Sequence, residues 1–479
     1  MDISSIYFNL FRKRFHVIQG GDAHILHIQS SRLSKGGNNL SKKFKLYSIM
    51  LMVMCIILAG CNSNKGASSG NSSESTSEGG AQELTYWTFQ GLHVEFFEDA
   101  AKRWNETYPD RQIQLKAESF PYDEMHNNLL LALQSGVGAP DIVDIEVNRF
   151  PNFLQGDIQL EPLNDIVEPE LESFVKSRFD VYSADGKYYG APTHVGASVA
   201  FYNTKIFDEA GVSPDDIKTW DDFVEIGKVI KAKTDKPMTP VFTTGFWSFY
   251  PMISQKGSDF FDSNGEVILD NKDNVEVLQF IHDMLYKDEI AVLAPGSRHE
   301  SEEFFAFMNE GGAASLIMPS WYASRFVEHM PDQSGNIVMK PMPSWEEGGF
   351  RSAGMGGTGT AVTKQAKDVQ LAKEFLAFAK LSKEANIKIW TMLGFDPPRH
   401  DVWDAPELKE ANKFTEYFGD GLFDMLLGIK DEINPLNITP NTPLARDLIE
   451  TNVLHNVLRE KTQTPDEALK QAADELRSR

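Results

Sequence analysis

An α/β fold built on two sheets is what the sequence predicts, and three observations carry the prediction. From Glu83 onward, short β-rich runs alternate with segments whose apolar residues recur at helical spacing. The same alternation resumes in the middle of the chain, from Val199. Finally, the part from Cys61 onward spans 419 residues, too many for one compact core and enough for two. A hydrophobic content of 41% with 8 Trp belongs to an ordinary globular protein with a sizeable interior.

The first element is Leu84-Thr85-Tyr86-Trp87, a short run that reads as a buried strand. Phe96, Phe97, Ala100 and Trp104 share one helical face, making 94–106 an amphipathic helix. Residues 113–117 alternate as a second strand. A second helix over 122–134 is stopped by Gly136 and Gly138, and 141–145 forms a third strand. Strands and helices at this spacing call for a parallel sheet with right-handed crossovers. In the middle, 199–203 is a strand and 205–210 a short helix closed by Gly211. Ser213-Pro214 and Thr219-Trp220-Asp221-Asp222 are helix starts, the second with Thr219 as N-cap and Asp222 at its third position. Residues 274–287 are helical, and 313–318 form a buried strand. A helix over 364–381 carries Val369, Ala372, Phe375, Leu376 and Ala379 on its inner stripe. Helices over 444–459 and 465–477 close the chain.

Upstream of the fold, Lys42, Lys43 and Lys45 precede an apolar run from Leu46 to Leu58, which ends in Leu58-Ala59-Gly60-Cys61. A basic region, an apolar region and small residues at the cut describe an export signal over 40–60. The apolar run falls short of the roughly 18 residues a membrane span needs. A cysteine directly after the small residues resembles a bacterial lipobox, so Cys61 is expected to be lipidated and to become the new N-terminus. Residues 61–82 then form a flexible tether rich in Ser, Gly, Asn and Glu. Residues 1–39 fit no export pattern, and translation is expected to start near Leu40.

Lys and Arg number 46 against 69 Asp and Glu, a net charge of −23, and residues 61–479 alone carry −29. Such acidity argues against nucleic acid and against a basic membrane-binding face. The two cysteines are Cys55 and Cys61, which leaves none in the folded part and removes thiol catalysis and Cys-based zinc sites. Other motifs for chemistry are thin. His299-Glu300-Ser301-Glu302-Glu303 lacks the second histidine of a zinc-protease helix. Gly354–Gly359 has no Lys-Ser or Lys-Thr after its last glycine, and 262–273 reads as a turn rather than a calcium loop. There is no Gly-x-Ser-x-Gly elbow. No cofactor and no metal is expected.

Several stretches together carry a family resemblance. They are Gly138-Ala139-Pro140-Asp141-Ile142, Leu160-Glu161-Pro162-Leu163, Asp185-Gly186-Lys187-Tyr188-Tyr189-Gly190-Ala191-Pro192, Phe201-Tyr202-Asn203 and Thr219-Trp220-Asp221-Asp222. Gly311-Gly312-Ala313-Ala314 before Trp321 and the glycines of 354–359 complete the set. In this order the chain resembles the extracellular solute-binding proteins of sugar ABC importers, the group that includes maltose-binding protein. Residues 86–93 and Glu346-Glu347-Gly348-Gly349 are most similar to the branch for arabinose, arabino-oligosaccharides or lactose.

The resemblance implies a type II, two-lobed, periplasmic-binding-protein-like fold, each lobe a mainly parallel sheet flanked by helices, with a hinge between. The implied N-lobe is 83–192 plus 357–396, and the implied C-lobe is 193–356 plus 397–479. Crossings are implied near 190–195, 351–359 and 394–398. The implied function is non-enzymatic: a lipid-anchored monomer on the extracytoplasmic face of the cell membrane captures a sugar or short oligosaccharide by hinge closure and hands it to the importer's permease. The alternatives are a lipid-anchored carbohydrate-active enzyme and a binding protein for a non-sugar solute.

A sugar site needs aromatic faces for C–H patches and planar polar groups for vicinal hydroxyls. Trp321 takes, by resemblance, the position of a sugar-stacking aromatic, with packing as the alternative. Trp247 and Tyr250 lie in the polar-flanked run 245–251. Trp87 ends the first strand, where parallel sheets bind ligands, although a core role is equally open. Trp345 lines the cleft or caps its lobe. Trp104, Trp220, Trp390 and Trp403 are read as core. Glu146, at the end of the third strand, offers a carboxylate for two hydroxyls, with a solvated strand-end acid as the alternative. Gln90 and His93 follow the first strand, and either one of them points into the cleft or they serve the start of the next helix; Gln90 is taken as the ligand residue. His194 stands beside the first crossing and Gly356 in the glycine cluster of the second. Arg399 stands near the third, where a salt bridge between lobes is the alternative.

Overall fold

The computed structural model describes residues 80–434 and 436–479. Cys61, the export signal and the extension before it lie outside the described residues. In chain order, β1 (Gln82–Thr88), α1 (Gly91–Thr107), β2 (Ile113–Ser119), α2 (Tyr122–Ser135) and β3 (Ile142–Glu146) come first. β4 (Ala191–Pro192) and β5 (Ser198–Asn203) follow closely on one another. Then come α3 (Trp220–Thr234), β6 (Thr239–Val241), β7 (Ala291–Leu293), β8 (Ser315–Pro319), β9 (Ile337–Pro341) and β10 (Thr358–Val362). α4 (Val369–Leu376), α5 (Thr442–Leu448) and α6 (Pro465–Arg477) lie in the last quarter.

The first sheet runs β2-β1-β3-β10-β4, with β2, β1 and β3 parallel. α1 covers it, and Phe97 stacks on Tyr86 of β1 with ring centres 4.2 Å apart. Gly136, left-handed at φ 74°, ends α2 where a side chain would be strained. β10 is antiparallel to both β3 and β4. It occupies part of the segment read as a glycine-rich crossing. Gly359 is there because of packing: a Cβ would sit 2.8 Å from both the Phe150 and Tyr182 rings.

The second sheet runs β8-β5-β9, and both pairings are antiparallel. The parallel pair β6–β7 is joined to its edge by Ala314 and Ser315, whose N–H groups donate to Pro237 and Met238. This lobe therefore departs from a mainly parallel sheet. Its first strand, β5, runs away from the crossing, whereas β8 and β9 run back toward it.

Local signals fixed most helix starts. Thr219 and Asp222 form a complete capping box on α3. The expected helix at 364 starts instead at α4, where the Asp368 side chain accepts from Leu371 N–H, and it widens into a π turn over Ala377–Leu381. Ser213-Pro214 opens only one 3₁₀ turn, Pro214–Asp216. The helix expected at 444 begins with α5 and continues through π turns to Arg459.

Three segments run side by side between the sheets. Val195 N–H donates to the Asp396 carbonyl, and the Asp396 carboxylate accepts from Gly196 N–H at 3.0 Å and Ala197 N–H at 2.9 Å. Ala197 bridges to Gly354. Gly196 sits at φ 86°, and a Cβ there would lie 2.6 Å from the Met355 carbonyl oxygen, so this close approach requires glycine.

Candidate functional site

A cavity of about 770 Å³ lies where loops after β1 and β3 face loops of the second sheet. This is the carboxyl end of the parallel strands, the expected place for a ligand in such a sheet, and the volume suits a small-molecule site. Its charged lining is even: Asp123, Glu146, Glu300 and Glu450 stand with Arg149, Arg298, Arg325 and Arg446. A site so balanced suits a neutral, hydrogen-bonding ligand.

On the first-lobe wall, Glu146 ends β3 and Tyr122 begins α2. Glu146 accepts from the Tyr122 hydroxyl at 2.9 Å and from the Asn148 side chain at 2.7 Å. Arg446 of α5 reaches across and donates to the Tyr122 hydroxyl at 2.7 Å, with Glu146 3.6 Å away. The guanidinium lies between the Tyr122 and Phe246 rings, 5.3 Å from each centre, and pairs with Glu450 at 2.7 Å. A second bridge joins the walls where Arg325, paired with Glu300 at 2.9 Å, donates to the Gln90 side chain.

The second-lobe wall is aromatic. Trp321 follows β8 in a short turn, and its ring meets Trp247 at 5.4 Å, nearly perpendicular. His299 packs 4.6 Å from Trp247, and burial pushes its imidazole down to about 4, so it is neutral near pH 7. Gly356, at φ 73°, passes so close that a Cβ would come within 3.1 Å of the Trp321 indole nitrogen.

Beneath the cavity lies a buried polar network. The Asp144 carboxylate accepts from the hydroxyls of Tyr86, Thr88 and Thr360 and contacts His93 Nδ1 at 2.7 Å. Burial alone would raise this carboxyl, but His93, Lys380 and Thr360 hold it at about 2. His194, from the first crossing, is driven well below the usual imidazole range by burial, reinforced by Arg178, His93 and Lys380. Among the described residues, no group of three or more His, Cys, Asp and Glu is placed to hold a metal ion.

Of the residues singled out by sequence, Gln90, Glu146, His194, Trp247, Trp321 and Gly356 line this cavity together. Four do not. Trp87 packs edge-on to Phe120 at 5.1 Å, because the two-residue period of β1 turns it to the face opposite Tyr86. Tyr250 is buried, its hydroxyl donating to Asp259 at 2.9 Å. Trp345 caps its lobe, its indole N–H donating to the Met252 carbonyl beside Trp220 and Phe280. The Arg399 guanidinium is taken up by Asp401, Glu170 and the Leu381 carbonyl. Trp104 and Trp220 are core, and the buried Trp390 likewise. Wall residues that the sequence did not mark as ligand contacts include Tyr122, His299, Glu300, Arg325, Phe395 and Arg446. His299-Glu300 is visible in the sequence only as an incomplete metal motif; the arginines carry no local signal.

Comparison with known proteins agrees with this architecture. A family model described as bacterial extracellular solute-binding protein matches residues 90–386. An arabinooligosaccharide-binding protein of Halalkalibacterium halodurans is 56% identical over 397 residues, 83% of this chain and 89% of that protein. A protein of the same description from Bacillus subtilis is 48% identical over 92% of this chain and all of its own length. Among solved structures, the GacH receptor of Streptomyces glaucescens, determined unliganded and with acarbose, superposes with a TM-score of 0.70 at 19% identity, over 83% of this chain and 98% of that one. That likeness shows the two-lobed fold. Among the described residues no helix is long and apolar enough to cross a membrane.

Proposed function

Because the chain belongs to the bacterial extracellular solute-binding protein family, we propose that it is the receptor that captures arabinose-containing oligosaccharides for an ABC importer. The observation that carries this is the cavity itself, a neutral-overall chamber of about 770 Å³ with the Trp247–Trp321 pair on one wall and fixed polar groups on the other. Indole faces cover the C–H side of a sugar ring, and carboxylate, guanidinium and amide groups take its hydroxyls. The ligand-contacting set is Gln90, Glu146, His194, Trp247, Trp321 and Gly356, joined by Arg325 and Arg446.

Binding proceeds by closure. A sugar that touches both walls stabilises the closed arrangement over the open one by the difference in its affinity for the two. Arg446 and Arg325 already span the walls, and opening of the hinge would break their contacts with Tyr122 and Gln90. The closed protein, tethered by a lipid on Cys61 at the outer face of the membrane, then docks on the permease and releases the sugar unchanged. It acts as a monomer and carries out no chemistry on the glycosidic bond. The N-lobe is 83–192 plus 357–396, and the C-lobe is the remainder of the folded chain.

Calorimetry against arabinose and its linear oligomers up to the tetrasaccharide, with galactosides and xylo-oligomers as competitors, tests this proposal. Arabino-oligomers should bind near micromolar, about −8 kcal/mol, and be recovered uncleaved. Tighter binding of galactosides or xylo-oligomers, or release of shorter sugars, overturns it.

A further inference from the structure

Beyond the bridge from Arg325 to Gln90, the space between the walls opens again. A second cavity of about 450 Å³ lies there, itself within the range of small-molecule sites. Gln90, Glu300 and Arg325 line both cavities, whereas Tyr122, Glu146, Arg446 and Glu450 line only the first. The two are consecutive chambers of one cleft, and the bridge is the sill between them. Arg325 is held at the sill by Glu300, Gln90 and Ser324. Glu300 keeps 37% of its side chain open and Gln90 is half-buried. A chain of sugars crossing the sill therefore meets a carboxylate that accepts and an amide that can do either.

One wall of the outer chamber is the first turn of α1, with Gly91, Leu92 and Glu95. The other carries an aromatic stack. Phe305 lies on the helix Glu302–Asn309, and His329 is the last residue of the helix Ala323–His329. Their rings are parallel within 6°, with centres 4.2 Å apart. Phe305 is buried and covers one face of the imidazole, while His329 keeps 40% of its side chain exposed. The stack pins a flat ring whose opposite face is left uncovered, the kind of surface that takes the C–H side of a sugar. Glu95 and Glu328, both exposed, stand by as acceptors for hydroxyls. Because these rim residues are exposed, the outer chamber opens to solvent.

We propose that the outer chamber is a subsite for the trailing end of an oligosaccharide whose leading units fill the inner cavity, with one sugar ring laid on the free face of His329. This rests on the oligosaccharide proposal above and adds a chain length to it. The receptor favours oligomers long enough to cross the sill, and it leaves the far end of the chain in solvent. Since α1 forms one wall and the Phe305–His329 stack the other, a chain in the outer chamber touches both walls there as well. Longer chains therefore stabilise the closed arrangement more than short ones do.

The test uses the whole folded protein with arabinobiose and arabinohexaose, a short and a long occupant of the same cleft. His329→Ala should leave arabinobiose affinity within about twofold and weaken arabinohexaose about 3- to 10-fold, the size of one lost stacking contact. His329 is exposed, so the melting temperature should stay close to that of the unaltered protein. In the unaltered protein, the ¹H–¹³C resonances of the His329 ring should move further with saturating arabinohexaose than with arabinobiose, a readout that needs no variant. Unchanged arabinohexaose affinity in His329→Ala, equal losses for both sugars, or the same resonance shift with both overturns the outer subsite while leaving the oligosaccharide proposal standing. Failure of the unaltered protein to bind either sugar overturns both.

Discussion

Trp321 is half of the aromatic wall, with only 9% of its surface exposed and its ring set against Trp247 and His299. Trp321→Ala should weaken oligosaccharide binding about 10- to 100-fold, roughly 1.4–2.7 kcal/mol, while circular dichroism shows an intact fold. Native affinity in that variant would return the residue to a packing role. A second prediction concerns Asp259, buried with Tyr250 and the N–H groups of Phe260 and Asn437 as its partners. Burial raises its carboxyl to about 6 from 3.8. The folded protein thus keeps a proton that the unfolded chain gives up. That contribution to stability is complete below about pH 3.8, is lost as pH rises through about 6, and amounts to at most about 3 kcal/mol. Buried His126 and half-buried His299, both lowered to about 4, act in the opposite sense over the same range. The measurement is therefore a difference: urea melts of wild type and Asp259→Asn at pH 4 and pH 7 should show the variant relatively more stable at the higher pH.

At the scale of elements, α5 carries Arg446 across the cavity to Tyr122 and Glu146. Arg446→Met keeps a long apolar stem but removes the bridge between the walls. Sugar affinity should fall about tenfold, near 1.4 kcal/mol, and unaltered affinity would mean that closure does not use this contact. This element also marks where the sequence stops being legible. Thr219 with Asp222, Gly136, and the apolar stripe of α1 act within a few residues, so local spacing revealed them. Arg446 and Tyr122 lie 324 positions apart, and no local pattern announces their meeting. Trp87, open to either a cleft or a packing role, packs. It does stand at a strand end, but one step of the strand's period turns its side chain away from the cavity. β10 was hidden because Gly359 reads as flexible, whereas its smallness answers to Phe150 and Tyr182.

For the whole molecule, the order of strands and the three side-by-side crossings make one hinged body, and the two-lobed family fold was legible from the ordered motifs. The prediction at this scale is a change of shape. Small-angle scattering should show a smaller radius of gyration when arabinotriose saturates the protein, and the Arg446→Met variant should need more sugar to reach it. A radius that stays constant at saturation would remove hinge closure from the mechanism.

The position of β10 has a consequence for how the chain is made. The strand sits inside the first sheet, between β3 and the short edge strand β4, and its Thr360 hydroxyl is a partner of Asp144 beneath the cavity. The first lobe therefore cannot close until residue 362 has been synthesised, about 280 residues after β1 begins. At roughly 5–20 residues per second that is a wait on the order of 14–56 s. Through that interval the sheet lacks the strand that links β4 to β3, and Asp144 lacks its Thr360 partner. This late interior strand ties completion of the first sheet to synthesis of most of the chain.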